Sequence, residues 1–200
     1  MNQSKLPPGA TPLDPEDLKG LIPVHITTRE ELNDAEFMNV TSATRLYLLS
    51  KRKFTFSYEN LLKLHKDMFG KVWKWAGEPR KTEKNIGVHY FEIEIEIKKY
   101  LDDLDYWLNN SMDIIEISAR SHQRLVYIHP FNNGNGRWAR LAVNLLLKDH
   151  SGKIMRFPED ELLLSSKIRK VYIKALGLAD SGDISALIDF HKERIVEFNV

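Results

Sequence analysis

The stretch that most constrains this chain is twelve residues long: His129, Pro130, Phe131, Asn132, Asn133, Gly134, Asn135, Gly136, Arg137, Trp138, Ala139 and Arg140. Proline disfavours a helical residue before it, so the apolar helix running up through Leu125 and Ile128 must stop at His129. Gly134 and Gly136 permit backbone angles and close approaches that other residues resist. A second apolar periodicity then begins, at Leu141, Ala142, Leu145 and Leu146. The loop therefore leaves a histidine at one helix end and the unsatisfied N–H groups and positive dipole end of the next helix close by in sequence. On that next helix Arg137 and Arg140, at i and i+3, share a face. This is the outline of a phosphate site. A histidine with the ordinary pKa of about 6.5 suits a general base, two arginines add permanent charge with forked donors, and Asn135 can donate a further hydrogen bond to an oxygen.

The remainder of the 200 residues predicts one ordinary globular domain, with 42% apolar and 28% charged residues. A formal net charge of +1 gives no basic footprint, so no direct nucleic-acid binding is expected. The absence of cysteine excludes disulfides, thiolate catalysis and cysteine-ligated zinc. With neither a signal-like apolar run at the start nor a membrane-length apolar stretch, a cytoplasmic protein without membrane attachment is expected.

Residues 1–23 hold five of the eight prolines and predict an N-terminal arm, taken as 1–29, ahead of a domain at 30–200. Thr27 or Thr28 predicts a cap for a helix with apolar positions at Leu32, Ala35, Val40, Ala43, Leu46 and Tyr47, with Lys51, Arg52 and Lys53 at its C-terminal end. Ser57 caps a second helix through Leu61, Leu62, His65, Met68 and Phe69, stopped at Gly70, with His65 a core or rim histidine. Between 71 and 92 the composition changes, and a short hairpin turning near Glu83 to Asn85 is predicted over Trp73 and Trp75 as packing residues. Phe91 to Ile97 alternates like a strand. The 4, 3, 4 spacing of Ile97, Leu101, Leu104 and Leu108 nevertheless favours a helix from about Glu94 to Asn109, its acidic residues forming a solvated face. A helix ending at His129, one ending near Ser151 and Gly152, one beginning at Pro158 and a last one capped by Ser181 or Asp183 and running to Ile195 complete an all-α class with one small hairpin.

The twelve-residue stretch resembles the signature of Fic-domain (Fic/Doc) proteins, HPFx(D/E)GNGRxxR, with matches at His129, Pro130, Phe131, Gly134, Asn135, Gly136, Arg137 and Arg140. Leu64 to Gly87 is similar to that family's helix, Trp-Ala-Gly turn and flap. Pro12 to Asn33 is similar to a subgroup called mobile mystery protein B, which implies a helix-turn-helix companion as a partner. The resemblance implies a Fic fold, a bundle of about six to eight helices with a short β-hairpin flap. It further implies transfer of AMP from ATP, with Mg²⁺ or Mn²⁺, to a Ser, Thr or Tyr hydroxyl of a target protein. His129 would be the general base. The nucleotide would be held by Phe131, Asn133, Gly134, Asn135, Gly136, Arg137 and Arg140, with Phe131 turned inward to anchor the loop. The free edge of a flap made by Arg80, Lys81, Thr82, Ile86, Gly87 and Val88 would hold the target. Relatives that transfer UMP, phosphate or phosphocholine keep another donor open, and a nucleotide-binding module without turnover is the alternative from another class.

Two departures matter. Asn133 stands where the family has Asp or Glu to position magnesium, and a neutral amide oxygen, direct or through water, is a weaker ligand for a hard cation. The family's inhibitory helix, (S/T)xxxE(G/N), has a literal match at Thr55 to Asn60, offering Glu59, and a near match at Thr27 to Asn33, offering Glu31. A separate inhibitor is the alternative to either.

Overall fold

The computed structural model describes residues 14–158, 162 and 166–198. Its first element, α1 (Pro15–Leu18), is a single turn with proline at its first position, where the missing N–H costs nothing. In α2 (Arg29–Leu48), Thr28 and Glu31 form a reciprocal cap: the Thr28 hydroxyl accepts from the Glu31 N–H at 3.2 Å, and the Glu31 carboxylate accepts from the Thr27 and Thr28 amides at 2.7 and 3.0 Å. Ser57 caps α3 (Tyr58–Phe69), whose buried stripe is Leu61, Leu64, His65, Met68 and Phe69. A 3₁₀ turn at Tyr90–Glu92 leads into α4 (Ile93–Asn109), so the longer helical period prevails over the local alternation at 91–97. Asp113 caps α5 (Ile114–Ile128), and His129 ends that helix in the left-handed conformation, φ 52°, ψ 58°.

At the centre lies α6 (Asn135–Ser151). Trp138, Ala139, Leu141, Ala142, Val143, Leu145, Leu146 and Leu147 are all buried, so it is apolar around most of its circumference, as a helix enclosed by its neighbours must be. It packs on α5, α2 and α3. A larger core spans α2 to α6, and a smaller one joins α5 and α6 to the C-terminal part. There β1 (Lys153–Met155) pairs antiparallel with β2 (Ile195–Glu197), in register Lys153 with Glu197, flanking α7 (Lys167–Asp180) and α8 (Ser185–Lys192).

Several expectations shift. The antiparallel pair is not at 80–88, where the chain runs as bends and irregular backbone without a ladder; its strands are three residues each and lie forty residues apart. α2 ends at Leu48, before Lys51 to Lys53, and its Leu46 is exposed. No single helix runs from Pro158: Ser166 is extended and caps α7, while 159–161 and 163–165 lie outside the described residues. Ile195 belongs to a strand, and α8 starts at Ser185, whose N–H the Asp183 carboxylate accepts at 3.0 Å. Of the arm, residues 1–13 lie outside the described region, and Pro15 opens a helical turn rather than an extended run. Beyond that turn the arm crosses the 72–74 segment, with the Ile22 N–H on the Val72 carbonyl and the Lys74 N–H on the Gly20 carbonyl, both at 2.8 Å.

Candidate active site

His129 owes its place to the end of α5. The left-handed turn directs its carbonyl to the Arg80 Nε at 2.8 Å, while the Arg80 N–H reaches the Pro130 carbonyl at 2.8 Å. Only 5% of the imidazole-bearing residue is exposed. Burial, and then the positive charge of Arg80, hold its pKa down at about 4, so at neutral pH the ring is uncharged and able to accept a proton.

The loop after it is stapled from inside. The Asn135 side-chain oxygen accepts from the Phe131 N–H at 2.9 Å, and its amide donates to the Phe131 carbonyl at 2.8 Å. This corrects the expectation that Asn135 is there to donate to a phosphate: both ends of its amide close the loop on itself. Phe131 is fully buried, as an anchor should be, and lines no binding surface. Its ring stacks on His65 at 3.6 Å and meets Trp138 edge-on at 5.1 Å. His65 in turn accepts the Gly77 N–H on Nδ1 and donates from Nε2 to the Asn133 carbonyl, each at 3.0 Å. Those two bonds fix its neutral tautomer, and burial pushes its pKa down to about 3. A residue that sequence reasoning assigned only to the core thus ties the Trp-Ala-Gly turn to the motif loop.

Gly134 is the N-cap of α6 at φ +81°, and a side-chain carbon there would lie 2.6 Å from the Phe69 ring. Conformation and space both require glycine. Residues 132–137 are partly exposed, apart from Asn135, and α6 begins there. Arg137 lies over the Phe69 ring at 4.8 Å, and one of its N–H groups donates to the Glu36 carboxylate at 2.6 Å. Arg140 is buried, with its guanidinium 5.6 Å from the centre of the Phe157 ring.

The 80–88 segment divides into two kinds of residue. Arg80, expected on a target-binding edge, is 2% exposed and works from below: its guanidinium donates to the Thr82 carbonyl at 3.0 Å and to the Val88 carbonyl, besides that of His129. Lys81, Thr82, Ile86 and Gly87 are exposed, and Val88 is half-buried. Lys84 joins this loop to the arm through the carboxylates of Asp14 and Asp17 at 2.7 and 2.8 Å.

The metal expectation rests on Asn133. Its side-chain oxygen accepts the Gly134 N–H at 2.7 Å, and among the described residues no group of three or more His, Asp or Glu side chains gathers that could hold an ion. A neutral oxygen already used in a turn does not make a protein-built site for a hard cation. Of the two glutamates suggested as restraints, Glu31 caps α2 and Glu59 is exposed in the first turn of α3. Glu36, a carboxylate that reaches Arg137, matches neither inhibitory pattern. No helix among the described residues is long and apolar enough to cross a membrane.

Residues 55–147 match the family described as Fic/DOC. The chain is 31% identical over 158 residues to "Protein adenylyltransferase fic-1" of Caenorhabditis briggsae, covering 75% of this chain and 30% of that protein, so it spans under a third of that relative's length. A solved structure of Caenorhabditis elegans Fic-1 (residues 134–508) superimposes with a TM-score of 0.65 at 26% identity, over 90% of this chain and 52% of that one. BepC of Bartonella tribocorum, solved with bound AMPPNP, superimposes at 0.70 over 98% of both chains; at 20% identity it speaks for the fold.

Proposed function

We propose, because residues 55–147 match the Fic/DOC family, that the chain is a protein adenylyltransferase, moving AMP from ATP to a Ser, Thr or Tyr hydroxyl of a target protein. The observation that carries this reading is that a buried, uncharged His129 and the N-terminus of α6, with its two arginines, flank one short loop. In the reaction the His129 imidazole takes the proton of the acceptor hydroxyl while that oxygen bonds to the α-phosphorus. The bond from the α-phosphorus to the bridging oxygen breaks, and pyrophosphate leaves with the electron pair. Such transfer gives the protein little covalent work, so positioning and charge stabilisation supply the catalysis. The α6 amides meet the α- and β-phosphates, Arg137 the β-phosphate and Arg140 the γ-phosphate, and Asn135 and Phe131 keep the loop in shape. Loss of one such donor costs about 10² to 10³ in rate. Mg²⁺ or Mn²⁺ enters with the triphosphate.

The acceptor segment lies along residues 81–88, whose main chain has no partner strand among the described residues and gains one when the target binds. Target choice would then rest on main-chain pairing more than on side chains. The mobile mystery B subgroup, with a helix-turn-helix companion, rests on Pro12 to Asn33 alone.

Incubation with α-labelled ATP, Mg²⁺ or Mn²⁺ and a cell lysate tests the proposal. Label on protein that disappears with His129→Ala is the expected result. Tight ATP binding without label points to a nucleotide-binding module, the reading favoured by the neutral Asn133. Label from UTP in place of ATP would change the donor and keep the mechanism.

A further inference from the structure

We propose that Glu36 is a positioning residue for Arg137, so that α2, outside the matched residues 55–147, supplies a working part of the nucleotide site. The inference rests on the nucleotide-binding reading above. Both Glu36 oxygens are committed: Oε2 accepts from Arg137 Nη2 at 2.6 Å and Oε1 accepts the Trp73 indole N–H at 2.6 Å. Glu36 is 5% exposed and Trp73 1%, with Trp73 stacked on Trp75 at 4.9 Å. A carboxylate held from behind by a buried indole cannot follow a moving arginine, so it fixes the guanidinium edge. Phe69 fixes its face at 4.8 Å, and the same ring fills the space beside Gly134. Arg137 is thereby locked in register with the loop that precedes it.

Arginine has five N–H donors, and Glu36 occupies one, leaving a fork for phosphate oxygens. A long side chain in the first turn of a helix otherwise loses rotamer freedom when it binds a ligand, and Glu36 and Phe69 impose that ordering in the fold. Trp73, Glu36 and Arg137 are separated by 37 and 101 residues in the chain, which is why the motif itself gives no hint of the relay.

A carboxylate this near a phosphate also repels it, and the sign of one measurement separates orientation from repulsion. Dissociation constants of ATP and AMP are measured for the wild-type chain, Glu36→Gln and Trp73→Phe, with melting temperatures alongside. Glu36→Gln is expected to weaken ATP binding about tenfold, the scale set by one charge-assisted hydrogen bond, with AMP unchanged because it lacks the β-phosphate. Trp73→Phe, which keeps the carboxylate and frees it, is expected to fall between. In an Arg137→Ala background Glu36→Gln should add nothing to the loss. Unchanged or tighter ATP binding in Glu36→Gln overturns the inference, as does an equal loss for ATP and AMP, which would mark a packing defect. If the wild-type chain does not bind ATP, the functional reading fails and this one with it; if it binds and Glu36→Gln does not matter, only this one fails.

Discussion

Gly87 lies directly against His129: at φ +100°, a carbon attached to its Cα would fall 2.6 Å from the His129 Cβ and 2.9 Å from the Arg80 guanidinium. The loop that would receive a target therefore lies against the side chain of the proposed base and the Ile128 carbonyl before it. Gly87→Ala should be strained by about 1–3 kcal/mol at that φ, and it must push either the loop or His129 aside. A displacement near 1 Å at the base can lower the transfer rate by about a hundredfold. Label transfer and thermal melting measured together check this; a wild-type rate would mean that the loop yields without moving the histidine.

Lys84 clamps the arm to the same loop, with its side chain 4% exposed between Asp14 and Asp17. Lys84→Met should leave the buried Asp17 carboxylate without its cation and cost about 1–3 kcal/mol. Hydrogen exchange should quicken in both 14–22 and 80–88. Adding Asp17→Asn should restore part of the loss, because the two changes share one interaction. Purely additive effects would show that arm and loop are independent.

Asn133→Asp puts a carboxylate where the neutral amide accepts the Gly134 N–H. A charged oxygen is the better ligand for Mg²⁺, so the Mg²⁺ midpoint for label transfer should move to lower concentration. An unchanged midpoint would show that position 133 has no part in metal use.

Four histidines are buried and held neutral by that burial. His65 and His191 are pushed down to about 3, His129 to about 4, and His122, facing His191 and Arg140, well below its ordinary value. In the unfolded chain each has a pKa near 6.5. Between those values the unfolded state binds more protons than the fold, so stability is fully present above pH about 6.5 and is lost as pH falls towards about 4. The slope is roughly 1.4 kcal/mol per pH unit for each histidine kept neutral. Urea midpoints between pH 7 and 4.5 should fall accordingly, and less steeply in His129→Gln. Equal slopes for the two proteins would contradict the burial of His129 as the cause.

Sequence alone determined whatever rests on near neighbours. Thr28 and Ser57 identify helix starts because a cap is a bond spanning three residues. Pro130 stops α5 at His129 by local clash, and the phosphate-site outline from Gly134 to Arg140 is fixed by glycine conformations and the i, i+3 spacing on one helix. Tertiary structure alone decided the partners. The contacts of Arg80 with His129, of Lys84 with Asp17 and of Glu36 with Arg137 span 49, 67 and 101 residues. The small sheet has strands of three residues, too short to carry a period. Asn135 looked like a ligand-facing group because its chemistry suits phosphate, and Arg80 because the family resemblance put it on a flap. Burial turned them inward, since once the loop closes its buried carbonyls and amides need partners, and these side chains are the donors and acceptors within reach.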